Sequence, residues 1–500
     1  MERTPPLDLQ LLNSCTKQEL IAIIVRQFEH LSKLEAENLD LRGQLKSLQE
    51  QVKTLQAQRS QNSRNSSQPP SSDGYGKPQP KSQREKSERP SGGQPGHPGQ
   101  TLKQVEHPDQ VECCPPVEVC SCGADLSHTK VIEWERRQVF DLPEIRPQVT
   151  EYRAQVKVCG RCGKTVRGVF PDQVSQPVQY GPRVNATVSY LSQYQLLPYE
   201  RLAELSKDLF SLPLSEGTIE NVLKRGYDKL EEFDRTVKDR IAEDRLANFD
   251  ETGMRVKKKL HWLHVASTET LTAYHIDRKR GEPAMRRMGI LPRFSGRAIH
   301  DHWKSYFKFD CEHILCNAHH LRELTFAEEQ YHQDWAKRLK ECLLEALEEV
   351  DAAKEAGRKS LPRKRRAYFS RRYSRILREG CEELPVLAPP QGPKRRGRRK
   401  QHKVKNLHDR LSQYKRETLA YVYDFSAPFT NNQGERDVRM AKVKQKVSGC
   451  FRSIQGAKIF ARMRGALSTA KKQGLNIIDA MTTLFEDHDA FTRRLTEPIG

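Results

Sequence analysis

The stretch LANFDETGMRVKKKLHWLHVAS, residues 246–267, constrains this chain most. Two apolar runs flank a basic turn, the pattern of a β-hairpin. The first run delivers a carboxylate, Asp250, at its end. Glu251 adjoins it, but alternation along a strand sends the two side chains to opposite faces. LTAYHID reads as a third strand, GEPAMRRMGIL as a helix, and GRAIHD as a fourth strand ending on Asp301. CEHILCNAHHLREL is a short strand running into a helix.

Three antiparallel strands, then a helix and a strand, resemble the ribonuclease-H-like arrangement. There the first and fourth strands are neighbours, so Asp250 and Asp301 are expected to share a site. A third acid, Glu435, opens a basic helix in NNQGERDVRMAKVKQK. Glu435, Arg439, Lys442 and Lys446 recur at helical spacing and share one face, which suits a metal beside a phosphate backbone. Asn432 and Glu435 also fit a capping box, a structural role for the same acid. Asp424 and Glu417 are weaker candidates for the third acid. Three separated carboxylates suit divalent cations that keep water positions open to substrate. Two such cations activate a nucleophile and hold charge on a leaving oxygen in phosphodiester cleavage.

The rest of the chain divides into modules, because 500 residues exceed one compact core. Its net charge of +21, spread over separated blocks, favours a polyanionic partner. Residues 17–58 read as a coiled coil. Leu31, Asn38, Leu45 and Val52 take one heptad position, and Leu34, Leu41, Leu48 and Leu55 the other. Leu throughout one seam with a single Asn in the other favours a parallel pair, so self-association is expected. Residues 59–104 lack apolar periodicity and read as a disordered basic linker.

Residues 105–175 carry Cys120 and Cys122 in VCSCGADL, and Cys159 and Cys162 in VCGRCGK. With VIEWERRQVFDL and RPQVTEYRAQVKV as strands between the pairs, this resembles a zinc ribbon, in which four thiolates hold a structural Zn2+. The C-x-C spacing of the first pair leaves open whether Cys113 or Cys114 replaces Cys120. Residues 181–245 are helical. A Pro break and a Ser215 cap suggest a helix-turn-helix pair presenting Lys224 and Arg225, with plain scaffold as the alternative. Residues 246–325 are the first part of the core, and 326–416 a helical insertion. Its run KRRGRRKQHK offers Arg395, Arg396, Arg398 and Arg399 to phosphates. Residues 417–500 complete the core and add C-terminal helices. HDHW and CNAHH gather four histidines near Cys316. Cys316 and His319 form either a second metal pair or a hydrogen-bonded cluster. The N-terminus MERTPPLDLQ lacks a signal-peptide pattern, and no run approaches a membrane span, which predicts a cytoplasmic protein.

These motifs resemble the insertion sequence 66 family of DDE transposases. The likeness runs through NSSQPPSSDG, GGQPGHPG, CGADL, VCGRCG, YGPRVNATVSYLSQYQLLPYERLAEL, LPLSEGTIENVL, FDET, HDHWKSY, CNAHHLREL and NNQGERDVRMAKVKQKVSG. The resemblance implies that Asp250, Asp301 and Glu435 are the acidic triad. It also implies a core interrupted by helices between the second and third acids. Mg2+- or Mn2+-dependent cleavage and joining of double-stranded DNA at the ends of a mobile element would follow, with small accessory proteins as further partners. A bacterial, nucleoid-associated location follows from the same likeness. A nuclease that cuts without joining, and an inactive DNA-binding regulator, are the alternative readings. The whole is a multidomain α/β chain: coiled coil, zinc-ribbon-like module, helical DNA-binding module and ribonuclease-H-like core with a helical insertion.

Overall fold

The computed structural model describes residues 16–62, 65, 102–385 and 401–497. The first described elements are α1 (Lys17–Arg59) and a short hairpin, β1 (Val156–Val158) and β2 (Thr165–Arg167). There follow α2 (Pro182–Ser189), a π-helical turn at Tyr190–Tyr194, α3 (Tyr199–Phe210), α4 (Glu216–Lys229) and α5 (Glu231–Glu243). The central part is β3 (Leu246–Val256), β4 (Lys259–Ser267), β5 (Thr272–Asp277), α6 (Glu282–Met288), β6 (Arg297–His300) and β7 (Glu312–Leu315). Next come α7 (Asn317–Tyr331), α8 (Asp334–Glu355), α9 (Arg363–Gly380), α10 (Lys403–Gln413), α11 (Lys415–Thr418) and α12 (Ala420–Tyr423). The last helices are α13 (Asn432–Ser448), α14 (Ile454–Lys472), α15 (Ile477–Glu486) and α16 (His488–Thr496). The protein is mixed α/β. The described parts of 1–78, 180–197 and 221–500 form one compact unit, and those of 79–179 and 198–220 another.

In the larger unit five strands form one sheet in the order β5-β4-β3-β6-β7. The β3–β4 and β4–β5 pairs are antiparallel, and β3–β6 and β6–β7 are parallel. The β3–β4 hairpin turns at Lys257 and Lys258, whose φ angles of 49° and 63° are both left-handed. That twist matches the flanking strands, and it is unusual for two lysines to supply it. Phe451 holds the tip in place: its carbonyl accepts from Lys257 N at 2.9 Å, and its own N–H donates to Arg255 O at 3.0 Å.

The eleven-residue β3 buries different faces along its length. Ala247, Phe249 and Glu251 are buried on one face, then Met254 and Val256 on the other. Met254 and Val256 pack beneath Val438 and Ala441 of α13 and Phe460 of α14. Asp250 lies on that same face but short of the cover, at the middle of the strand rather than its end.

Between β7 and α13 the chain builds a helical body around Trp335, Tyr373 and Tyr421. Trp335, Leu339, Cys342, Leu343, Ala346 and Val350 form the buried stripe of α8. The buried hydroxyls find carbonyls, Tyr373 on Leu411 O at 2.9 Å and Tyr421 on Leu343 O at 2.8 Å. Gly380 is required where α9 meets Trp335, because a Cβ there would lie 2.6 Å from its ring.

α1 is one uninterrupted helix whose Thr16 and Glu19 form a capping box. Leu34, Leu41, Leu48 and Leu55 leave 43%, 62%, 57% and 64% of their surfaces exposed, a leucine seam without cover.

In the smaller unit each cysteine pair sits in a tight turn. Cys159 N donates to Lys164 O and Gly163 N to Cys159 O, both at 2.8 Å. Cys120 N donates to Ala124 O at 2.9 Å and Gly123 N to Cys120 O at 2.8 Å, so the C-x-C pair makes a comparable turn. Gly123 and Gly163 take φ of 86° and 69°, which explains glycine after each pair. The two long strands expected between the pairs are a correction. Only Val156–Val158 enters a ladder, while Ile132 and Val139 are 99% and 92% exposed. Alternation supplies strand propensity, but a ladder also needs a partner edge, and residues 130–155 find none among the described residues.

Candidate active site

The site follows from strand register. Asn248 pairs with Ile299 on the parallel neighbour, and His300 pairs with Leu315 on the next. Continuing both registers sets Asp250, Asp301 and Cys316 in one row on one face. Ile299 and Ile314, one step earlier on that face, pack with Ala427 and Leu246. The row therefore sits where the parallel strands end, the usual place for a ligand in such sheets.

α13 brings Glu435 to the row. Asn431, immediately before the helix, turns its side chain to the sheet instead of capping. Its Nδ2 donates to Phe249 O at 2.8 Å, and its Oδ1 accepts from Asn248 at 2.7 Å. The capping box expected of Asn432 and Glu435 does not form, because Asn431 occupies the cap position without a side-chain cap bond. Glu435 is thus released from that role. Its Oε1 is buried without a hydrogen bond, 3.6 Å from Arg322 Nη2 and 3.8 Å from His319 Nδ1. The weaker candidate Asp424 is taken elsewhere, by Arg297 at 2.5 Å and Ser426 at 2.7 Å.

Electrostatics ties the three acids together. Burial pushes the Asp250 carboxyl well above its ordinary range, and Glu251, Asp301 and Glu435 push it further. Asp301 is raised to about 6 by burial and then by Glu251. The Trp303 N–H, Arg280 and Arg410 pull it back. Asp250 and Asp301 each keep part of their surface open. Carboxyls that repel one another in this way favour the entry of a cation or protons, although the oxygens of Asp250, Asp301 and Glu435 do not form one close cluster among the described residues.

Glu251 works from the opposite face. Its side chain is 2% exposed, and it takes Arg280 Nε at 2.8 Å and the Tyr306 hydroxyl at 2.5 Å. The Arg280 guanidinium lies between the rings of Trp262 and Trp303, at 4.9 and 4.2 Å. Trp303 N donates to Asp301 Oδ1 at 2.9 Å, so this clamp holds the loop that carries Asp301.

The profile of the Transposase IS66 family matches residues 177–459. The chain belongs to this transposase family. A family of unknown function, DUF6444, matches residues 22–103. No curated protein matches the chain.

In this transposase His302, His319 and His320 line the site beside Cys316. Burial first, then Arg410 for His302 and His320 and Arg322 for His319, holds all three below the ordinary imidazole range. Arg410, from the helical insertion, is anchored by Glu323 and reaches close enough to lower Asp301.

Among the basic residues singled out from sequence, Arg439, Lys442 and Lys446 are exposed on α13, with Lys442 donating to Gly253 O. Lys224 and Arg225 are both exposed, and Arg225 also donates to Asn185 Oδ1 at 3.1 Å. Arg395, Arg396, Arg398 and Arg399 lie outside the described residues. Cys120, Cys122, Cys159 and Cys162 do not gather into one four-thiol cluster among the described residues. The Cys159 thiol is nevertheless held below its ordinary range by the N–H groups of Cys162 and Arg161, as at a metal-binding turn.

The Arg280 clamp was missed from sequence. The basic helix RKRRAYFSRRYSRILR of the insertion lines a groove of about 460 Å3 with Arg371, Arg372, Arg375 and Arg378, beside Lys415.

Proposed function

We propose that this transposase cleaves and joins DNA at the ends of a mobile element, using Asp250, Asp301 and Glu435 as a two-metal DDE triad. The observation that carries the reading is the strand register that sets Asp250 level with Asp301, with Glu435 adding to the charge that Asp250 feels. The strand order and the helical body between β7 and α13 support a ribonuclease-H-like core with an insertion. Mg2+ or Mn2+ would supply Lewis acidity at the attacking and leaving oxygens. In this reading Asp250, Asp301 and Glu435 are the residues that would hold the cations. The clamp on Glu251 fixes the Asp301 loop. Double-stranded DNA at element ends and target is the substrate, and accessory proteins of the element are further partners.

The other modules take supporting roles in this reading. The α1 leucine seam pairs two copies, with Asn38 setting register. Cys120, Cys122, Cys159 and Cys162 would hold a structural Zn2+, which would join the two cysteine turns. The helices of 181–245 present Lys224 to element DNA. No helix among the described residues is long and apolar enough to cross a membrane. A place at the bacterial nucleoid follows from the substrate.

The test is Mg2+-dependent cleavage and strand transfer on DNA carrying the element ends, with any accessory proteins present. Asp250→Asn, Asp301→Asn and Glu435→Gln should each abolish both steps and leave end binding intact. Cleavage surviving Glu435→Gln would remove Glu435 from the triad. Cleavage without joining in the wild type would leave a nuclease.

The α9 groove is expected to track phosphates. Replacing Arg371, Arg375 and Arg378 by Ala should weaken duplex binding whatever the sequence. It should also flatten the dependence of log K on log salt by roughly 2–3, one counterion per lost contact. An unchanged salt slope in a binding titration would place the DNA elsewhere.

A further inference from the structure

Beside the acids lies a second donor set of different chemistry. Ligand atoms of Cys316, His319 and Glu435 all fall within 4.8 Å of one another. Cys316 is 1% exposed and immediately follows β7, in the same row as Asp250 and Asp301. His319 follows three residues later in the first turn of α7. His319 Nδ1 and Glu435 Oε1 are both buried and lack hydrogen-bond partners, although they stand 3.8 Å apart. Two buried polar atoms that face each other without a hydrogen bond are a costly arrangement in an interior.

We propose that Cys316, His319 and Glu435 form a Zn2+ site, distinct in ligand chemistry from the all-oxygen pair of carboxylates and sharing Glu435 with it. One sulfur, one imidazole and one carboxylate are a borderline-soft set that favours Zn2+ over Mg2+. In a tetrahedral site with zinc bonds of about 2.0–2.3 Å, neighbouring ligand atoms are roughly 3.4–3.6 Å apart. The present spacing needs about 1 Å of closure, within reach of side-chain torsions. The Asn431 N–H already donates to Cys316 Sγ at 3.1 Å, a contact that supports a metal-bound thiolate. Three protein ligands leave the fourth position for water or a substrate oxygen. Arg322, 3.6 Å from Glu435, is the competing cation. It has one charge against two and a partly exposed arm that can swing away.

Sharing Glu435 has a consequence. Zinc at this site withdraws Glu435 from the acid pair, so Zn2+ inhibits Mg2+-dependent cleavage. That consequence rests on the triad reading; zinc binding does not.

The experiment counts metal. The full chain, stripped with a chelator, is reloaded with Zn2+ or Co2+ and dialysed. Wild type is compared with Cys316→Ser, His319→Asn and a Cys159→Ser/Cys162→Ser control. Wild type should hold one more equivalent than Cys316→Ser or His319→Asn. The Cys316→Ser chain should lose part of the thiolate-to-cobalt absorption, and the control should retain this equivalent. Melting curves of the metal-free chains check folding. If Cys316→Ser misfolds, His319→Asn decides, since it alters no buried apolar packing. Equal metal content in wild type and His319→Asn overturns the site. In cleavage assays Zn2+ should inhibit the wild type at least tenfold more than His319→Asn. Equal inhibition of the two overturns the sharing of Glu435. Metal counting needs no cleavage, so an inactive chain leaves the binding test intact.

Discussion

Asp250→Asn is expected to abolish cleavage while making the metal-free chain more stable. The activity loss should be on the order of a thousandfold or more, because a neutral amide cannot hold the cations. The gain in stability comes from the same charge. Burial, Glu251, Asp301 and Glu435 all disfavour an ionised Asp250. An Asn keeps the oxygen that accepts from Glu251 N at 2.8 Å and removes the repulsion. Relief should be about 1–2 kcal/mol at pH 8, or roughly 2–4 °C in melting temperature. With saturating Mg2+ the order should reverse, since only the wild type gains binding energy. Scanning calorimetry with and without Mg2+ checks both signs. An Asn variant that melts below wild type without metal would remove the repulsion argument.

Asp301 gives the same argument a pH window. Its folded carboxyl is raised to about 6, against about 3.9 in an unfolded chain. A raised acid binds its proton more tightly when folded. Its contribution to stability is therefore full below about 4 and lost as pH rises through about 6. Other carboxylates titrate in the opposite sense. Asp277, for example, is buried, yet Arg287 and the Lys279 N–H hold it low. The contribution is thus read as a difference between wild type and Asp301→Asn.

Much of this site was legible because strands report themselves locally. The apolar runs around Lys257 and Lys258 define a hairpin, and GRAIHD ends where a strand should end. Asp250 and Asp301 could therefore be placed on neighbouring strands from element order alone. Glu435 was legible as a helix-start acid, but its structural rival was misassigned. Asn431, not Asn432, precedes the helix, and its side chain serves Asn248 and Phe249 O, partners some 180 positions away. Local capping rules cannot anticipate a tertiary competitor for the same side chain. The failed strands of 130–155 mark the converse limit, since propensity without a partner edge makes no sheet. The clamp was illegible for a third reason: Trp262, Arg280 and Trp303 meet only after a hairpin, a helix and a loop have each been placed.

That clamp carries the other large effect. Arg280→Met keeps much of the stem but leaves Glu251, 2% exposed, with Tyr306 as its remaining side-chain partner. Stranding a buried carboxylate should cost about 2–3 kcal/mol, below the full cost for a buried pair because Arg280 keeps a share of solvent. Lys in its place restores charge but neither the planar stack between two indoles nor the fork, so recovery should be partial. Glu251→Gln combined with Arg280→Met should recover most of the loss, because the stranded charge is gone. The clamp also acts on the chemistry. Arg280 lowers Asp301, so removing it should move the rise of cleavage rate with pH upward. A merely structural Arg280 would lower the melting temperature and leave that limb in place. An Arg280→Met chain that melts and titrates like wild type would show that the Asp301 loop holds itself. An upward shift of the limb, reversed in the Lys variant, would show that a residue on the far face of the sheet sets the charge state of the row.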